Sequence, residues 1–100
     1  MGHRLAPEAR TDIDEIAYYV FVQSGSPEIA ERVIESIYSQ FAVLDAYPRA
    51  GRRRDELRPG IRSLAVGEYV VLYHVEGNDV LIQRVVRGSR DLPALMRKHS

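Results

Sequence analysis

Residues 61–87 set three extended runs between two short glycine-led breaks: IRSLAV, Gly67-Glu68, YVVLYHV, Gly77-Asn78-Asp79 and VLIQRVVR. Apolar, β-branched runs bounded by such turns read as strands. Connections this short join neighbouring strands antiparallel, because a parallel pair needs a long crossover. The second half of the chain is therefore committed to an antiparallel meander. A small sheet with an apolar face needs cover, and the preceding residues have the pattern to supply it.

Pro7 suits the first position of a helix. Ala9, Ile13, Ile16, Ala17 and Val20 follow at helical spacing, with Asp12, Asp14 and Glu15 on other faces. These three acids read as a solvated group near a helix N-terminus, where the dipole favours them. Gln23-Ser24-Gly25 stops this helix, and Ser26-Pro27-Glu28 starts another with a cap, a proline and an acid in the first turn. Ala30, Val33, Ile34, Ile37, Phe41 and Leu44 form the second stripe, which ends at Tyr47-Pro48. Two helices this close in sequence predict an antiparallel hairpin. His3-Arg4-Leu5 is expected as a short strand joining a sheet edge. Residues 49–60, RAGRRRDELRPG, read as a loop with room for one helical turn, and Arg90 to Lys98 as one or two final helical turns. The expected fold class is α+β, in the order β-α-α-β-β-β. It is one domain over residues 1–100, a helical hairpin on one face of a small, twisted, mainly antiparallel sheet, with a short C-terminal helix. Tyr69 and Tyr73 share a strand face with Val71 and Val75 and are expected in the core. Tyr18, Tyr19 and Phe21 add bulk beyond the first helix's stripe, as a protein-contact surface or as helix packing.

The chain has 100 residues, 45% of them hydrophobic, which suits one domain with a core of moderate size. The absence of cysteine removes disulfides, thiolate catalysis and cysteine-based metal sites. MGHRLAPEAR has no apolar leader, and the apolar stretches fall far short of the ~20 residues of a membrane span. A soluble, cytoplasmic protein is expected. The formal net charge of zero conceals a split. Residues 1–48 hold three arginines against eight acids, a balance of −5, and residues 49–100 hold ten arginines and one lysine against six acids, a balance of +5. Thirteen of the fourteen basic residues are arginine. Arginine's planar fork suits recognition of carboxylates and phosphates; a GC-rich genome gives the same bias but not its uneven placement.

Several local patterns, in one order, resemble the ParE/RelE superfamily of bacterial toxins from type II toxin–antitoxin pairs. PEARTDIDEIAYYV resembles the family's opening P-x-A-x-x-D-L-x-x-I, with Ile13 for the leucine. LDAYPRAGRRRDELRPGIRSLAVGEYVVLYHV resembles the stretch from P-x-x-G through L-R-x-G-x-R to Y-x-x-x-Y. RVVRGSRD resembles the ParE closing R-V-L-H-x-x-R-D, with Arg87 where many ParE sequences have histidine. The likeness covers nearly the whole chain and is nearest to the ParE branch. It implies one of two activities: RelE-like members cut messenger RNA on the ribosome, and ParE-like members poison DNA gyrase without a nuclease site. It also implies a cognate antitoxin that folds onto the toxin as a helix and often a strand, and no cofactor.

Residue chemistry bears on that choice. Cleaving RNA through its 2′-hydroxyl needs groups that exchange a proton, plus cations for the phosphorane charge. The cations are abundant in Arg52, Arg53, Arg54, Arg62, Arg84, Arg87 and Arg90, but arginine is no base near neutrality. Proton carriers are few: His74 within a strand, His99 at the chain's end, and the tyrosines. Histidines at 3, 74 and 99 have no metal-ligand spacing, so no metal site is expected. The expectation is a gyrase-directed toxin without membrane or direct nucleic-acid contact. Arg52, Arg58, Arg62, Arg84, Arg87, Arg90 and Asp91 are the residues expected to bind target or antitoxin. Arg62 and Arg84 are expected to approach across the meander, and Asp91 to pair with Arg90 or a loop arginine. The alternatives are a ribosome-dependent nuclease using Arg62, Arg84, Arg87 and His99, and an inactive relative acting as a binding module.

Overall fold

The structure is a computed structural model and describes residues 2–97. A short strand, β1 (His3–Leu5), leads into two helices, α1 (Pro7–Ser24) and α2 (Pro27–Ala46). Strands β2 (Arg52–Arg53), β3 (Arg62–Val66), β4 (Tyr69–Glu76) and β5 (Asp79–Arg87) follow, then α3 (Leu92–Arg97). The α+β architecture matches the sequence expectation. Gly25 ends α1 in the left-handed region at φ 70°, which returns its N–H to the Phe21 carbonyl. The Ser26 hydroxyl then accepts the Ile29 N–H at 3.3 Å and starts α2.

The sheet order is β1-β5-β4-β3-β2. β3, β4 and β5 form the antiparallel meander, and β1 adds parallel to β5 through His3–Val80, Arg4–Leu81 and Leu5–Ile82. Glu76 pairs with Asp79, so the second hairpin turn is Gly77-Asn78 alone and Asp79 already belongs to the strand. A bulge interrupts the β4–β5 ladder: Leu72 faces Arg84 and Tyr73 faces Ile82, leaving Gln83 unpaired.

One face of the sheet packs on both helices. Ile13 and Ile16 from α1 and Ile37, Phe41 and Leu44 from α2 meet Tyr69, Val71, Tyr73, Val80, Ile82 and Val85. Each large side chain buried there contributes about 1.5–3 kcal/mol. A second, smaller core joins Ile61, Leu72 and Val86 to Leu92, Leu95 and Met96, so α3 covers part of the opposite face.

The loop expected over residues 49–60 contains β2, a strand too short to leave a periodic signal. Tertiary contacts hold it. The Tyr73 hydroxyl donates to the Pro48 carbonyl at 2.8 Å and accepts the Gly51 N–H at 2.8 Å. Among the described residues, no helix is long and apolar enough to cross a membrane.

Candidate interaction site

β1 pairs with only three residues of β5, so from Gln83 onward the outer edge of β5 has no neighbouring strand among the described residues. An uncovered edge presents backbone groups that need partners. α1 supplies one. Asp12, 7% exposed, accepts the Val85 N–H through Oδ2 at 2.9 Å. Arg84 grips the same carboxylate with both ends of its fork, Nε to Oδ2 at 2.7 Å and NH2 to Oδ1 at 2.9 Å. These bonds raise the already high pKa of Arg84. The bulge at Gln83 sets the register from which Arg84 reaches round the edge. Asp12 is thus no part of a solvated acidic face, contrary to the sequence expectation. It follows Ala9 by three residues and precedes Ile16 by four, which puts it in the buried stripe.

Arg87 continues the edge and lies over the Tyr19 ring, 5.0 Å from its centroid. Its NH1 contacts the Tyr19 hydroxyl at 3.4 Å, and its NH2 lies 3.5 Å from Glu68. The tyrosine contact raises the pKa of Arg87 further. This cation–π bridge stands between two hollows that share Tyr19, Tyr69 and Arg87. One, of about 220 Å³, runs along Asp12, Glu15 and Ile16 to Arg90. The other, of about 390 Å³, extends past Gln23 and Ser24 to Ile29 and Val33. Tyr18 and Val22, 71% and 54% exposed, stand on the same helix. Cations, tyrosine rings and exposed apolar groups in one region are typical of protein contact surfaces.

The remaining expected residues separate. Arg62 faces Tyr73, whereas Arg84 faces Leu72, so the two leave adjacent positions of β4 on opposite faces. They do not concentrate charge together, contrary to expectation, because the pleat alternates. Arg62 donates through NH1 to the Gly51 carbonyl at 2.9 Å. Arg58 donates to the Met96 carbonyl at 3.3 Å and ties the loop to α3. Arg52 is exposed on β2. Asp91 pairs with neither Arg90 nor a loop arginine; it accepts the Ala94 N–H at 3.2 Å and caps α3. Local pairs do form in the loop, Arg53 with Asp55 and Arg54 with Glu56. His99 lies outside the described residues. His74 contacts Gln83 and Glu76, away from both hollows. Burial raises the pKa of the Tyr69 phenol, which takes it further from proton exchange near neutrality.

The sheet order, the helical hairpin and this edge define a class, the small α+β toxins of toxin–antitoxin pairs. The family profile described as "ParE toxin of type II toxin-antitoxin system, parDE" matches residues 4–92, and the chain belongs to that family. It is 38% identical to Toxin ParE3 of Caulobacter vibrioides over 87 residues, 87% of this chain and 86% of that one. It is 30% identical to Toxin ParE1 of Mycobacterium tuberculosis over 89 residues, 88% of this chain and 90% of the relative. Among solved structures it is similar to the chromosomal ParDE system from P. aeruginosa, with a TM-score of 0.76 and 27% identity over 87% of this chain and 95% of that one. It also resembles the toxin–antitoxin complex RelBE2 from Mycobacterium tuberculosis, with a TM-score of 0.57 and 26% identity over 86% of this chain and 95% of that one.

Proposed function

We propose that this toxin arrests growth by protein contact with DNA gyrase in the cytoplasm, without nuclease activity, and that a cognate antitoxin neutralises it. One observation carries the reading. The arginines that would have to converge on a single phosphate are dispersed, with Arg84 held by Asp12 and Arg62 held by a loop carbonyl on the opposite sheet face. Catalysis of phosphoryl transfer needs such groups converging on the reacting atoms. What remains on the surface suits docking. Arg87 lies over Tyr19 beside the outer edge of β5, Arg90 lines the same hollow, and Arg52 stands at the far edge. Arg58, Arg84 and Asp91 are engaged in hydrogen bonds within the fold, and Arg62 is engaged through one nitrogen only.

The test is supercoiling by purified gyrase. The toxin is expected to inhibit it or trap cleaved DNA, and the antitoxin encoded beside it to reverse this. An Arg87→Ala, Arg90→Ala double variant should lose most inhibition with its melting temperature nearly unchanged. A folded, growth-arresting toxin that leaves gyrase untouched overturns the reading. The likeness to the RelBE2 complex favours a second one, ribosome-dependent RNA cleavage. Mapping transcript ends after induction decides between them, since codon-phased cuts belong only to the nuclease.

A further inference from the structure

A second concentration of charge lies where β2 closes the sheet. Residues 49–62 carry six arginines and two acids. Arg53 and Arg62 face each other directly across β2 and β3, which sets two like-charged side chains on one sheet face with their β-carbons about 5 Å apart. Such a pair is unfavourable unless something negative lies close by. Asp55 answers Arg53 at 2.7 Å, but its other oxygen is taken by the Gly60 N–H at 2.9 Å. The hydrogen bonds of the Arg62 side chain go to two carbonyls, Arg49 and Gly51, both from the same terminal nitrogen, and Asp55 is near enough to feel its charge as well as that of Arg53. The remaining donors of Arg62 are unused among the described residues. Arg49, Arg53 and Arg62 line one open cleft of about 380 Å³, and Asp55 is the one acid among its described lining residues. The side chains of Arg49 and Arg52 are exposed and make no hydrogen bond or ion pair among the described residues; Arg52, one position before Arg53, leaves β2 on the other face of the same edge.

We propose that this edge holds the phosphate backbone of a DNA duplex. A guanidinium fork matches two phosphate oxygens, and a row of forks along an edge matches a repeating anion. An acidic peptide fits less well, because docked peptides need apolar anchors. Most exposed apolar side chains, Tyr18, Phe21, Val22, Ile29 and Tyr38 among them, stand on the helices, and the exposed Tyr47 just past α2 does not line the cleft. No aromatic ring lines the cleft among the described residues, and stacking rings are what single strands require. The charge split between the chain's halves also turns the arginine edge toward a polyanion and the acidic helices away from it. The inference is independent of the gyrase reading, since DNA alone is the probe.

The experiment is fluorescence anisotropy of a short labelled duplex of mixed sequence, titrated with antitoxin-free toxin between about 50 and about 200 mM salt. Sequence-independent binding is expected, with log K falling against log salt at a slope of about −3. Arg49→Gln with Arg52→Gln removes two cations whose side chains make no hydrogen bond or ion pair among the described residues. It should flatten the slope by roughly two units and keep the wild-type melting curve. Arg49→Lys with Arg52→Lys should restore most of the slope. Failure of the wild type to bind at the lowest salt overturns the proposal, as does an unchanged slope in the glutamine variant. Tighter binding of poly-glutamate or of a single strand than of the duplex overturns it equally.

Discussion

Asp12 occupies a buried position of α1 that an apolar residue would ordinarily fill, and the chain meets it with a guanidinium and a backbone N–H. The side chains are 15% and 8% exposed for Arg84 and Asp12, so neither charge is well hydrated. Removing one partner then leaves a charge with no counterpart, which costs about 3 kcal/mol or more. Asp12→Ala should lower stability by that amount in equilibrium urea unfolding. Asp12→Leu combined with Arg84→Met should recover most of it, because the pair is replaced by apolar volume. A double variant as unstable as the single one would show that the Val85 N–H, not the ion pair, dominates. The Ala9–Asp12–Ile16 spacing carries the signal for this residue in the sequence. Its partner is not legible there, because Arg84 lies 72 residues away and is aimed by a bulge.

At the scale of elements, the segment from α2 to β3 depends on one tyrosine and one glycine. A β-carbon at Gly51 would lie 2.5 Å from the Tyr73 hydroxyl and 2.9 Å from the Ser63 carbonyl oxygen. Here glycine is required for space. Gly51→Ala should therefore cost about 1–3 kcal/mol. Tyr73→Phe should cost about 1–3 kcal/mol, since it strands the buried Gly51 N–H. Chemical denaturation measures both. Hydrogen exchange at residues 49–54 separates a local loosening of β2 from a global loss. Rapid exchange confined to that segment is expected. Helix boundaries were readable from Pro7, Gly25 and Ser26, whose backbone preferences are local. β2 was not, because two arginines become a strand only when Tyr73 and β3 are already in place.

For the molecule as a whole, alkaline pH probes the core. Burial raises the pKa of both Tyr69 and Tyr73, which favours their neutral form in the folded state. The unfolded chain releases these protons first, near pH ~10, so the stabilisation is complete below that value. It is lost as pH rises through the higher folded values. The free energy of unfolding should fall with pH above about 10, and less steeply for Tyr73→Phe than for the wild type. Parallel slopes would mean that Tyr73 does not contribute. By itself the sequence determined the two helices, the hairpin between them, the meander and the family resemblance. Each rests on local periodicity, turn chemistry or motif order. Tertiary structure alone decided which arginines are braces and which face outward. Charge is visible in a sequence, but whether a cation meets a carboxylate, a carbonyl or open solvent depends on register and pleat.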